Sequence, residues 1–208
     1  MTVGRYLKYA VKIKLEPGDI LKDSILDNSI APNLNVSGAL NKICCIGVQN
    51  LLTNNIKVFD YPDEKELLKD FWNFVNKDVD GIDGVQLISW NGKAFDFPII
   101  YQRTVANNIC MTTKFPMMED INTFNEKNCL NKLVDLSKIW SCNVFNRNDK
   151  LLHVAYACGF VEDKEFFKIH LNYDQLNWYK DYRDNKAIAT TILSWELRYI
   201  ANLAKILI

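Results

Sequence analysis

The residues best suited to chemistry lie in one stretch, Ser89 to Gln102, SWNGKAFDFPIIYQ. An apolar run ends at Trp90, Asn91-Gly92 makes a turn, and Pro98 opens a helix. That order puts the Asp96 carboxylate at the carboxyl end of a sheet strand, where α/β proteins hold their functional groups. The position equally suits an acid that only caps the helix behind it. Trp90, Phe95, Phe97 and Tyr101 could stack on bases, or serve as core at a strand end. His153, inside the apolar run LLHVAYAC, reads as a core histidine rather than a ligand. The six cysteines form no CxxC pair, which favours free or buried thiols in a reducing compartment over a zinc site. Adjacent Cys44 and Cys45 would point to opposite faces of a strand.

These residues need a sheet to position them. Tyr9–Leu15 alternates Ala10, Lys12 and Lys14 with Val11, Ile13 and Leu15, the period of a strand with one face buried. Lys42–Val48 (KICCIGV) is almost continuously apolar, as in a strand covered on both faces. Asn55–Asp60 reads as a third strand, reached through a short Asn-rich turn. Asp63 as a cap and Glu66 at the capping-box position start a helix carrying Leu67, Leu68, Phe71, Phe74 and Val75. Val85–Ser89 is the next buried strand, with a helix after it over Ile99–Asn107. Further helices are predicted at Cys129–Trp140, at Lys150–Cys158 with Gly159 ending it, and from about Asn172 to Ile208. Antiparallel strands followed by a strand alternating with helices imply an α/β sandwich around a mixed sheet. Gly18–Leu40 and Ile109–Asn128 exceed ordinary connection lengths, as insertions over a site or mobile segments do.

At 208 residues the chain reads as one domain, 1–208, large enough for a real core. A hydrophobic content of 49% excludes a disordered chain. The 25 Lys+Arg against 25 Asp+Glu argue against a protein held to nucleic acid by a general surplus of positive charge, while a local basic groove stays open. No apolar run approaches the roughly 18 residues of a membrane span, and the first residues carry no apolar leader. A cytoplasmic protein without a membrane partner is expected.

Asn91-Gly92-x-x-Phe95-Asp96-x-Pro98 resembles the second motif of the DEDDy-type 3′–5′ exonucleases, which have the ribonuclease H-like fold. It is most similar to predicted exonucleases related to the proofreading domain of family B DNA polymerases. The similarity continues in order through Ile43–Val48, Glu64–Phe74, Val134-Asp135-Leu136 and Leu151–Gly159, with Ala31-Pro32-Asn33 resembling the family's long insertion. In that family four carboxylates hold two divalent ions that activate water and stabilise charge on the phosphate. They come as Asp-x-Glu on the first strand, the Asp of the second motif and Tyr-x-x-x-Asp on the last helix, whose Tyr orients the water.

Carried over residue by residue, the resemblance keeps Glu16, Asp96 and Tyr182 as catalytic-motif positions, and Asn91 and Phe95 as nucleic-acid contacts. It puts Lys14, in Lys14-Leu15-Glu16, where the first Asp belongs, and Lys186 where the last Asp belongs. Using Asp184 instead would leave Lys180 at the tyrosine position and turn the carboxylate about 200° round the helix. Two lysines with two acids make a cluster that is neutral without metal. The implied protein is an exonuclease-like pseudoenzyme with no expected cofactor, retained to bind single-stranded 3′ ends or a protein partner. The alternative is an active exonuclease on single-stranded DNA or RNA, with magnesium or manganese on Glu16 and Asp96. Lys14 and Lys186 could also be ordinary solvated lysines.

Overall fold

The computed structural model describes residues 6–17, 41–75, 84–110, 133–142, 149–161 and 186–208. Within them lie five strands, β1 (Tyr6–Pro17), β2 (Asn41–Asn50), β3 (Ile56–Phe59), β4 (Gly84–Ser89) and β5 (Leu133–Asp135). The helices are α1 (Glu64–Val75), α2 (Asp96–Ala106), α3 (Leu136–Trp140), α4 (Leu151–Ala157) and α5 (Lys186–Leu207). The strands form one sheet in the order β3-β2-β1-β4-β5. β1 to β3 pair antiparallel, while β4 runs parallel to β1 and β5 parallel to β4. The expected mixed α/β sheet is therefore present.

Helices cover both faces, and the alternation in β1 sends side chains to each. Val11, Ile13 and Leu15 join Ile46 and Phe59 in a core closed by Leu67, Leu68 and Phe71 of α1 and by Phe97 and Ile100 of α2. Ala10, Cys45 and Ile88 face the other core, where Ile192, Leu193, Leu197 and Ile200 of α5 pack with Val154 of α4. The close approach of α5 to β2 depends on Gly47. A Cβ there would lie 2.9 Å from Leu197 Cδ1 and 3.1 Å from Leu193 Cγ.

Local signals explain most boundaries. Asp63 Oδ1 accepts the Lys65 N–H at 3.0 Å and starts α1, whereas Glu66 pairs with Lys69. Gly159, at φ 73°, ends α4 in a Schellman motif, with Gly159 N donating to Tyr156 O and Phe160 N to Ala155 O.

Four expectations are corrected. Of the helix predicted over Cys129–Trp140, the described residues are 133–140, where Leu133–Asp135 forms edge strand β5 and Leu136–Trp140 is helical. The helix after the turn starts at Asp96, three residues before the predicted Ile99. His153 is exposed on α4 rather than buried. Cys44 and Cys45 enter the same core, because Lys14 opposes Cys45 while Leu15 opposes Ile43. Cys44 is thus the extra residue of a β-bulge, which cancels the alternation that would have separated the two thiols. Among the described residues no helix is long and apolar enough to cross a membrane.

Candidate functional site

The turn after β4 is tied down by one carboxylate. Asp135, buried at the end of β5, accepts the Asn91 N–H at 2.9 Å on Oδ1 and the Lys93 N–H at 3.1 Å on Oδ2. It also caps α3, accepting from Ser137 N at 3.0 Å and Ser137 Oγ at 2.8 Å. Gly92 lets the turn lie against β4, since a Cβ there would sit 2.0 Å from Ser89 Oγ. Asn91 takes φ 57°, a left-handed value that Asn tolerates. Gly92 O then accepts the Phe97 N–H at 2.9 Å, which sets the first turn of α2 and aims Asp96 at the sheet.

β1 and β4 pair only as far as Ala10 opposite Ile88, because the chain turns away after Ser89. Asp96 takes up the ladder beyond that point. Its Oδ1 accepts the Ile13 N–H at 3.1 Å and lies 3.5 Å from Lys12 Nζ. The side chain is wholly buried, and its Oδ2 has no hydrogen-bond partner among the described residues. Asp96 is therefore not the helix cap; Phe95 stands at that position.

A second pair lies beside the first. Lys14 Nζ is 2.7 Å from Glu196 Oε2, with the lysine side chain 4% exposed and the glutamate 28%. Lys12 and Lys14 share a face of β1, and α5 brings Glu196 onto that face. Burial pushes the Asp96 carboxyl above its ordinary 3.8, further than Lys12 and the Ile13 N–H pull it down. For Lys12, burial opposes the charge, but Asp96, Glu196 and Asp135 outweigh burial and raise the ammonium above 10.5. Lys12 is held as a cation.

This cluster opens on a cleft of about 280 Å³, lined by Lys12 and Glu196 and walled by Trp90, Asn91, Phe95 and Leu151. Lys12 Nζ stands 5.7 Å from the centre of the Phe95 ring. Trp90 Nε1 donates to Asp149 O at 3.1 Å, which fixes the indole as a wall.

The structure thus brings together four of the residues named from sequence, Lys14, Asp96, Asn91 and Phe95. Glu16 lies two residues beyond Lys14, past the bulge, and its charge acts on Cys44. Lys186 opens α5, ten residues or about 15 Å before Glu196; its side chain and all of Tyr182 lie outside the described residues. Lys12 and Glu196 were not singled out from sequence. Glu196 has a legible signal, since it interrupts the buried stripe Ala189, Ile192, Leu193, Leu197 and Ile200. An acid there requires a cation opposite.

A family model described as a predicted 3′–5′ exonuclease related to the exonuclease domain of PolB matches residues 38–163, more than half of the chain. The chain belongs to that family. Among solved structures, it is similar to the family B DNA polymerase from the hyperthermophilic archaeon Pyrobaculum calidifontis. The TM-score is 0.62 at 14% identity, over 96% of this chain and 24% of the polymerase. The exonuclease-like chain therefore spans about a quarter of that polymerase's length and shares its fold there. No curated protein matches this sequence.

Proposed function

We propose that this exonuclease-like domain does not hydrolyse nucleic acid, and that two lysine–carboxylate pairs hold its former metal site closed while it serves as a binding module for single-stranded ends. One observation carries the reading. Where the family gathers four acids, the described residues gather two acids and two ammoniums, Lys12 with Asp96 and Lys14 with Glu196. Lys12-Ile13-Lys14 has the spacing of Asp-x-Glu, Asp96 holds the second-motif position, and Glu196 supplies the acid of the last helix. Ile192, four residues earlier, stands where the tyrosine would be. On this reading Glu16 and Lys186 lie outside the cluster.

The donor set does not fit two divalent ions. Two carboxylates supply half the family's charge, and each already faces an ammonium. Among the described residues no three His, Cys, Asp or Glu side chains converge as metal ligands. A dication placed beside two ammoniums, one buried and one at the cleft wall, is repelled at short range in a medium that screens poorly. The competing reading, an altered active exonuclease, draws on the unpartnered Asp96 Oδ2, an oxygen able to take one ion.

Digestion of a 3′-labelled single strand with magnesium or manganese separates the two. The expected result is an uncut strand. Shortening from the 3′ end that disappears on Asp96→Ala would overturn the proposal.

A further inference from the structure

The two lysines differ in a way that assigns them different work. Lys14 is buried and sits at 2.7 Å from its acid, a close ion pair. Lys12 is 16% exposed on its side chain, lines the cleft, and reaches Asp96 only at 3.5 Å. An ammonium has three donors. One long contact leaves Lys12 with donor capacity at the cleft wall, beside the Phe95 ring and with Lys150 at the rim.

We propose that Lys12 is the phosphate-binding residue of this cleft, contacting a phosphodiester oxygen of a single strand whose base stacks on Phe95, with no metal ion between. This rests on the reading of the site as a lysine-closed exonuclease cleft. The acids around Lys12 limit the charge that a ligand can carry. Asp96, Glu196 and Asp135 all act on its ammonium. Such surroundings suit a monoanionic diester better than a terminal phosphate dianion, and the cleft's small size suits one nucleotide rather than a duplex.

The test is fluorescence anisotropy with 5′-labelled eight-residue oligothymidine and oligouridine, the two arms separating DNA from RNA. The wild-type chain should bind at least one of them equally in EDTA and in magnesium. Lys12→Gln should weaken binding about tenfold while Lys12→Arg keeps it, and Phe95→Leu should weaken it about tenfold as well, as expected for loss of a stacked base. Circular dichroism checks that each variant is folded. If Lys12→Gln fails to fold, Phe95→Leu and Lys150→Gln, which leave both buried pairs intact, decide the matter with the EDTA comparison. Binding that EDTA abolishes, or that these wall variants leave unchanged, would overturn the role of Lys12. Manganese uptake by the wild-type chain in calorimetry would overturn the underlying reading. No uptake together with no strand binding would overturn the Lys12 assignment and the strand-binding role, leaving only the lysine-closed site standing.

Discussion

The Lys14–Glu196 pair predicts an asymmetric response to losing either partner. Lys14 has a side chain 4% exposed, so Glu196→Leu removes the acid 2.7 Å from an ammonium that burial holds away from water. Removing one partner of a buried ion pair costs about 3–5 kcal/mol. Glu196 is 28% exposed, so after Lys14→Met its carboxylate can turn toward water. That variant loses the ion pair but takes the more deeply buried charge away with it, and should cost about 1–2 kcal/mol. The double variant replaces both charges by apolar groups of similar size beneath α5. It should return to within about 1–2 kcal/mol of wild type, because a well-packed apolar pair matches a buried ion pair in stability. Urea unfolding at neutral pH, followed by tryptophan fluorescence, gives the three differences and their coupling. Equal losses below about 1 kcal/mol that simply add would describe a solvated pair, and the closure of the site by lysines would then lose its physical basis.

Other perturbations test the scaffold around the cleft. Gly92→Ala should cost about 1–3 kcal/mol in urea unfolding, because its Cβ would collide with Ser89 Oγ and Cβ at 2.0 and 2.5 Å. Arg103 makes a two-pronged pair with Glu64 (Nε to Oε1 at 2.9 Å, Nη2 to Oε2 at 2.6 Å), and Glu64 also accepts the Ile43 N–H. Arg103→Met should cost about 2–4 kcal/mol, and Arg103→Lys should recover only part, since lysine cannot reproduce the fork. Stability should fall at alkaline pH. The raised Lys12 value contributes stability that is complete below 10.5 and is lost as pH rises through its higher folded value. Burial and Cys45 hold the Cys44 thiol well above 9.0, so unfolding is favoured from about that pH upward, and Cys44→Ala should flatten the early part of the decline.

Much of this molecule was legible in its residues, and the failures have physical causes. The alternation of Tyr9–Leu15 and the unbroken apolar run at Lys42–Val48 located the two central strands, because burial imposes those patterns directly. Asn91 to Pro98 located the turn that carries Asp96, because Gly92 permits a close turn and Pro98 restricts the backbone that follows it. β5 escaped notice because three residues, Leu133–Asp135, are too few to show a period. Its one local sign was Asp135 two residues before Ser137, an Asx cap that also marks the end of the strand. The bulge at Cys44 is set by pairing with β1 and leaves no mark in the local pattern. Lys12 was passed over because a strand bearing alternate lysines resembles one with a wet face. Only tertiary packing by α5 turns that face into a buried one that requires Asp96 and Glu196.

Calorimetric titration of manganese into the wild-type chain and into Lys12→Asp/Lys14→Glu, with circular dichroism confirming that both are folded, bears most directly on whether lysines have replaced metal ions here. No binding heat is expected for the wild-type chain. The double substitution rebuilds an Asp-x-Glu beside Asp96 and Glu196, and should take up manganese. Stoichiometric manganese binding by the wild-type chain, lost on Asp96→Ala, would show instead that the site still holds metal.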